Sequence, residues 1–149
     1  MLSQTGVYAL QAVLHLAARR NGGQVAAAAM ARELGIPGTY LAKVLQRLAR
    51  EGILQSTRGA KGGYRLVGEP SKLNVAAVVT PFQDFRAPDT CLLGGPCNPD
   101  NPCTAHARRS AWNAAALEIL EKTTLADLLS GAPVPPLRSL AFPPSEDPR

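Results

Sequence analysis

All three cysteines of this 149-residue chain fall in one stretch with one of its two histidines, Cys91-x5-Cys97-x5-Cys103-x2-His106. Three sulfurs and an imidazole within 16 residues are a donor set suited to an iron–sulfur cluster or a zinc ion. Regular structure could not bring the four together. A helix would set cysteines six apart about 240° from each other around its axis, at about 100° per residue. Gly94, Gly95, Pro96, Pro99 and Pro102 also bar a helix or a strand through the stretch. A loop can instead wrap one central ion or cluster. Asn101-Pro102 reads as N-cap and first helical residue, which stands Cys103 and His106 three apart on one face of the first turn. The positive end of the helix dipole there favours Cys103 as the thiolate, the form that binds metal.

Other cysteine chemistries have less behind them. A disulfide framework needs an even count and an oxidising compartment. Three is odd, and the opening Met1–Gly6 offers neither a basic n-region nor a sustained apolar h-region, which predicts a cytoplasmic, reduced protein. A Cys–His nucleophile would need an oxyanion site and an orienting third group, and neither is visible, so no enzymatic activity is expected. Zinc stays open, because three cysteines and a histidine are also an ordinary structural zinc set. Loop cysteines without a metal role stay open as well. No apolar run approaches the roughly 18 residues of a membrane span, so no membrane partner is expected.

The elements that must position this stretch carry an uneven charge. Residues 1–72 hold ten Lys and Arg against three Glu, a net of +7, and residues 73–149 hold six basic against eight acidic groups, a net of −2. A basic N-terminal half points to a polyanion, with double-stranded DNA the first candidate. Apolar residues at helical spacing (Val7, Leu10, Val13, Leu14, Ala17) predict a helix over 5–20, ended by Asn21-Gly22-Gly23. His15 on it reads as a packed or half-exposed histidine rather than a ligand. A second helix is expected over 25–34. After the turn Gly35–Gly38, a third is expected to run to Glu51 with Thr39 as its cap. Its buried stripe is Leu41, Val44, Leu45 and Leu48, which leaves Thr39, Tyr40, Lys43, Gln46, Arg47 and Arg50 on other faces. Two short helices joined in this way make a helix-turn-helix, whose second helix enters the major groove.

Strands over 53–57 and 64–67 then flank the tip Arg58–Gly63, where Arg58 and Lys61 can meet a sugar–phosphate backbone or a minor groove. A short helix is expected over 74–80, stopped by Pro81. The cysteine loop follows, and then a helix over 102–122 with Ala107, Ala111, Ala114, Ala115 and Ile119 along one side. Small residues let two such helices approach closely, so this one is expected to pack on its copy in a homodimer that reads an inverted repeat. A last short helix is expected over 124–130. The expected fold is mainly α with one small β-hairpin. Its expected division is a winged helix-turn-helix (1–80), a cluster-binding loop (81–101), a dimerisation helix with a short terminal helix (102–130) and a disordered Pro-rich tail (131–149).

A winged helix at the N-terminus, the wing Arg58-Gly59-Ala60-Lys61-Gly62-Gly63-Tyr64-Arg65-Leu66, a three-cysteine loop and a long helix together resemble the IscR/NsrR type of iron–sulfur transcriptional regulators. The resemblance covers about 130 residues, all but the tail. It implies a dimeric regulator, such as a repressor, whose affinity for its operator is controlled by an iron–sulfur cluster. Its metal ligands would be Cys91, Cys97, Cys103 and His106. Thr39, Tyr40, Lys43, Arg47, Arg58 and Lys61 would meet DNA. Within that group, a histidine three positions after the last cysteine is similar to the biogenesis regulators, which favours a 2Fe–2S over a 4Fe–4S cluster. The nitric-oxide-sensing relatives use in some cases an acidic ligand near the N-terminus. Here Val7 and Tyr8 stand in that region and no carboxylate precedes Glu33. The alternative is a winged-helix regulator with structural zinc, or no metal, at the same four residues.

Overall fold

Ser3 opens the first helix, α1 (Gln4–Ala17), with an extended backbone and a hydroxyl that accepts a hydrogen bond from Gly6 N at 3.1 Å, the usual service of a serine N-cap. The computed structural model describes residues 2–19, 23–85, 98 and 100–131. Cys91, Cys97, the tail from 132, and Arg20, Asn21 and Gly22 therefore lie outside the described residues. The fully buried face of α1 is Gly6, Ala9, Ala12, Val13 and Leu16. Of the face read from periodicity, Val13 is buried, whereas Val7, Leu10, Leu14 and Ala17 are only partly buried. The reason is steric. Several elements close on α1, and small side chains let their backbones approach where leucines would hold them off.

Helices α2 (Ala27–Leu34) and α3 (Gly38–Arg50) follow, separated by Gly35, which ends α2 at φ +67°. That left-handed conformation suits glycine. Two expected boundaries move. Val25 does not begin α2. It pairs antiparallel with Tyr64, through N–H···O contacts of 3.0 and 2.9 Å, and is buried beneath the hairpin. Two backbone bonds and a buried β-branched side chain outweigh the half-turn of helix given up. Nor does Thr39 cap α3. Pro37 does, its carbonyl accepting from Tyr40 N at 3.1 Å and Leu41 N at 2.9 Å. Thr39 therefore stands inside the first turn.

Strands β1 (Leu54–Thr57) and β2 (Gly63–Leu66) form an antiparallel hairpin in the register Leu54↔Leu66, Gln55↔Arg65, Ser56↔Tyr64, Thr57↔Gly63. Two of its glycines are required by geometry. Gly59 sits at φ +107°, and a Cβ on Gly63 would lie 2.5 Å from the Val25 carbonyl oxygen. The chain then enters α4 (Val75–Val79), capped by Asn74 Oδ1 on Ala77 N at 2.8 Å, and a 3-10 turn over Thr80–Phe82 that contains Pro81. Helix α5 (Thr104–Lys122) leads into α6 (Leu125–Ser130), whose start is a capping box between Thr124 and Asp127.

The C-terminal end of α5 is sewn to the winged helix. Val75 N donates to Thr123 O and Leu125 N to Leu73 O, both at 2.9 Å, and Leu125 is wholly buried. One core thus takes Val13 and Leu16 from α1, Met30 from α2, Leu41, Leu45 and Leu48 from α3, Val78 and Val79 from α4, and Leu125 from α6. Among the described residues, no helix is long and apolar enough to cross a membrane.

His15 bridges α1 to α2 with its side chain 17% exposed. Its Nε2 lies 3.1 Å from Glu33 Oε2 and 3.2 Å from Arg19 Nη2. Only one of these contacts can be a hydrogen bond at a time, since Arg19 donates to a neutral Nε2 whereas a protonated Nε2 donates to Glu33. Burial lowers the His15 pKa, Glu33 opposes that shift and Arg19 adds to it, with a net lowering. Below the ordinary histidine range the unfolded chain therefore binds a proton more readily than the folded one. The stability held by neutral His15 should be complete above that range and fall as pH drops through it. Denaturant midpoints measured across acid pH should show this decline, and His15→Gln should flatten it. An unchanged slope in the variant would assign the effect to other groups.

Candidate nucleic-acid interface and metal centre

Helix α3 divides cleanly by angle. At about 100° per residue, Thr39, Lys43, Gln46, Arg47 and Arg50 fall within a sector of roughly 100°. Leu41, Val44, Leu45 and Leu48 fill the opposite sector and are buried. Thr39, Lys43, Gln46, Arg47 and Arg50 are exposed. Arg47 Nε pairs with Glu51 Oε1 at 3.0 Å. Lys43 and Arg50 make no ion pair among the described residues. One side of α3 thus holds the helix in the core, and the other offers a threonine, an amide and three cationic side chains to solvent.

Tyr40 is placed differently. Its hydroxyl meets the Thr5 hydroxyl of α1 in a short hydrogen bond, and its ring stands edge-on to Tyr8, with centroids 5.6 Å apart and planes at 81°. It remains 40% exposed, so an edge stays available at the start of α3. Sequence spacing placed Tyr40 off the buried stripe but could not show that α1 holds it.

Arg58 and Lys61 are exposed at the hairpin tip and, among the described residues, make no ion pair. The wing beneath them is braced. Arg65 Nε donates to Gln55 Oε1 across the strands at 2.8 Å, and Gln24 Nε2 donates to Thr57 Oγ1, also at 2.8 Å. The tip follows α3 almost directly, because Ile53 N donates to Leu48 O and Val67 N to Ile53 O, each at 3.0 Å. The basic side of α3 and the basic tip are therefore fixed to one scaffold.

Of the four metal-ligand candidates, Cys103 and His106 lie among the described residues and Cys91 and Cys97 do not. Cys103 is exposed and is itself the N-cap of α5, with an extended backbone (φ −73°, ψ 167°). This corrects the expected start at Asn101-Pro102. The first bond of the helical ladder is Ala107 N to Cys103 O, at 3.2 Å, so the helix opens one residue after the cysteine. The pair still falls on one turn, three residues apart, where side chains are neighbours about 5–6 Å apart at Cβ. The Cys103 sulfur also stands beside the positive end of the helix dipole. Two of the four donors are thus on a rigid helix start. Among the described residues, no group of three His, Cys, Asp or Glu could hold a metal ion. As a chemical set, three thiolates and an imidazole fit a cluster or zinc equally.

Sequence reasoning singled out the alanines of α5 and passed over Trp112. None of the helix's residues is fully buried, and Trp112 and Ile119 are 70% and 65% exposed. Trp112, Ala115, Ala116, Ile119 and Leu120 line an open apolar groove with Leu2 and Phe85. The spacing 112, 115/116, 119 was the available signal, since it is the i, i+3/i+4, i+7 pattern of a helix face that meets another surface.

Comparison with known proteins agrees with this architecture. The family model described as "Rrf2: Iron-dependent Transcriptional regulator" matches residues 2–131. A protein of Aquifex aeolicus assigned as an HTH-type transcriptional regulator is 32% identical over 133 residues, covering 87% of this chain and 92% of that one. The HTH-type transcriptional regulator IscR of Yersinia pseudotuberculosis is 30% identical over 129 residues, covering 87% and 79%. Among solved structures, IscR of T. potens superposes with a TM-score of 0.65 at 26% identity, covering 87% and 85%. The global cysteine regulator CymR of B. subtilis superposes with a TM-score of 0.71 at 24% identity, covering 87% and 96%, a likeness that carries the fold alone. The basic recognition helix, the braced wing and the family match over nearly the whole described chain lead to one conclusion: this protein belongs to the Rrf2 family of DNA-binding transcriptional regulators, of the IscR/NsrR-like type.

Proposed function

We propose that the chain acts as a cytoplasmic homodimer whose affinity for an inverted-repeat operator is set by an iron–sulfur cluster held by Cys91, Cys97, Cys103 and His106. The observation that carries the reading is the placement of Cys103 and His106 on the opening turn of α5, beside helix N–H groups that favour a thiolate. A bound cluster supplies a link among four side chains that responds to iron–sulfur supply and to redox conditions. The resemblance to the biogenesis regulators, with histidine as fourth donor, favours 2Fe–2S over 4Fe–4S. Structural zinc at the same residues is the second reading, because the donor set suits it equally.

The chain's own residues divide the remaining work. Thr39, Lys43 and Arg47 on the outer side of α3 face the major groove, with Tyr40 at the rim. Arg58 and Lys61 reach the adjacent backbone or minor groove. Residues 1–80 form the DNA-binding unit, 81–101 the cluster loop and 102–130 the dimerisation and terminal helices. The face of α5 bearing Trp112, Ala115 and Ile119 meets its copy, and since α5 begins at Cys103, the same helix reports ligation to the partner.

Anaerobically purified protein should show visible charge-transfer absorbance and bound iron, whereas a zinc protein would be colourless. His106→Ala should make the cluster labile, and unchanged iron content in that variant would remove His106 from the site. Arg58→Ala and Lys61→Ala should each weaken binding to all duplexes alike and lower the slope of log affinity against log salt by about 1. An unaltered slope would place the wing outside the groove. Ala115→Arg should force a charge into a close helix contact and yield a folded monomer with weak, nonspecific DNA affinity. An intact dimer by light scattering would move the interface elsewhere.

A further inference from the structure

The start of α1 touches two places that the regulatory reading needs to connect. At one end, the Ser3 backbone N–H donates to Gln83 Oε1 at 2.5 Å. Gln83 follows the 3-10 turn and precedes Cys91 by eight residues. The same Ser3 caps α1 through its hydroxyl, so one residue is held by Gln83 on its amide and holds the helix start with its side chain. At the other end, one turn along, Thr5 and Tyr8 lie three apart on one side of α1. Both engage Tyr40 at the opening of the recognition helix, one by a hydroxyl hydrogen bond and the other by an edge-to-face ring contact. Between the two ends, Gly6 is buried against α4. A Cβ added there would meet Val79 at 3.8 Å and the Ser3 hydroxyl at 3.3 Å. The segment is therefore pinned on three sides and has little room to absorb a displacement.

We infer that this N-terminal turn is the coupling element between the cysteine loop and the recognition helix, with Gln83, Thr5 and Tyr40 as its positioning residues. The inference rests on the reading that the state of the cysteine loop governs DNA affinity, and it adds the route. A shift of Gln83 moves the capped start of α1 as a unit, because hydrogen bonds hold Ser3 to both. The Thr5–Tyr40 and Tyr8–Tyr40 contacts pass that shift to the first turn of α3, next to Thr39 and Lys43. The route stays within one subunit, separate from the α5 face proposed for the dimer. Coupling of this kind is reciprocal, so DNA held by α3 must in turn alter the cysteines.

That reciprocity gives a test without any metal. Cluster-free protein is alkylated with iodoacetamide, alone and with a saturating amount of the tightest duplex recovered from a random-sequence pool. Iodoacetamide is kept low enough that opening and closing outpace alkylation, so the rate follows the equilibrium population of the reactive state. In the wild type the duplex should then change it at least about fivefold, the lower range of a coupling free energy. Tyr40→Phe keeps the ring, and Thr5→Val keeps the shape. Each should shrink that change, leaving only the part carried by the Tyr8 ring contact, and the double variant should lose no more than either single, because both remove the same bond. Gln83→Leu should act likewise from the other end. The proposal is overturned if Tyr40→Phe retains the full effect, if the wild type shows none, or if no duplex is recovered. It is also overturned if Arg50→Ala, on the outer side of α3, loses the effect equally at saturation, which would trace the loss to weakened DNA contact. Coupling preserved in a protein that binds no iron would leave the route standing and remove the cluster, whereas iron binding without coupling would do the reverse.

Discussion

The close approach of other elements to one side of α1 is the constraint on which the rest of the molecule depends. Gly6, Ala9 and Ala12 leave no bulk on that side, and Val13 and Leu16 fill what remains. Helices α3 and α4 can therefore pack onto the same helix, and α6 reaches it through Leu125. A helix with a leucine stripe could support one neighbour well. A helix with a small-residue side can be surrounded, because its partners make contact with its backbone as much as with its side chains. The recognition helix, the segment that leads to the cysteines and the C-terminal return consequently share one rigid reference.

Electrostatics determine what this scaffold presents. Several basic groups are engaged locally: Arg19 with Glu33 at 3.0 Å, Arg47 with Glu51 at 3.0 Å and Lys72 with Glu69 at 3.2 Å. All are partly or largely exposed, so each adds little to stability. Their effect is selective. They partly neutralise some basic positions, while Lys43, Arg58 and Lys61 make no ion pair among the described residues. A net charge concentrated in this way steers a polyanion toward one side of the fold.

Helix α5 has the opposite problem from α1. It spans 19 residues without one fully buried side chain, and two of its large apolar groups, Trp112 and Ile119, are mostly exposed. Within its own chain its packing rests on Leu117 and Leu120, which are partly buried against the core. Its C-terminal end is also held by the backbone bonds of Thr123 and Leu125 to Val75 and Leu73. It thus projects an apolar face from a firm base, and Cys103 caps its far end, nine residues before Trp112.

Much of this was legible in the residue pattern. The buried stripe of α3 and the hairpin with its glycine-rich tip each follow from local rules, namely period and turn chemistry, which act over a few residues. What the sequence could not determine involves residues far apart in the chain. Val25 reads as the start of a helix until Tyr64, 39 positions later, offers it two backbone bonds. Leu10 and Leu14 outrank Ala9 and Ala12 in hydrophobicity, yet those two alanines are buried and those leucines only partly so, because the number of neighbours and not the local period sets which side must be small. Thr39 is the better cap by residue type, yet the Pro37 carbonyl takes the first helical bonds and the helix opens before the threonine. Tyr40 looked like a surface residue of the recognition helix until the fold brought Thr5 and Tyr8 against it. Sequence determined which residue types stand on which kinds of element. Only tertiary structure decided which elements touch, because a contact between distant residues depends on where the chain between them has been folded.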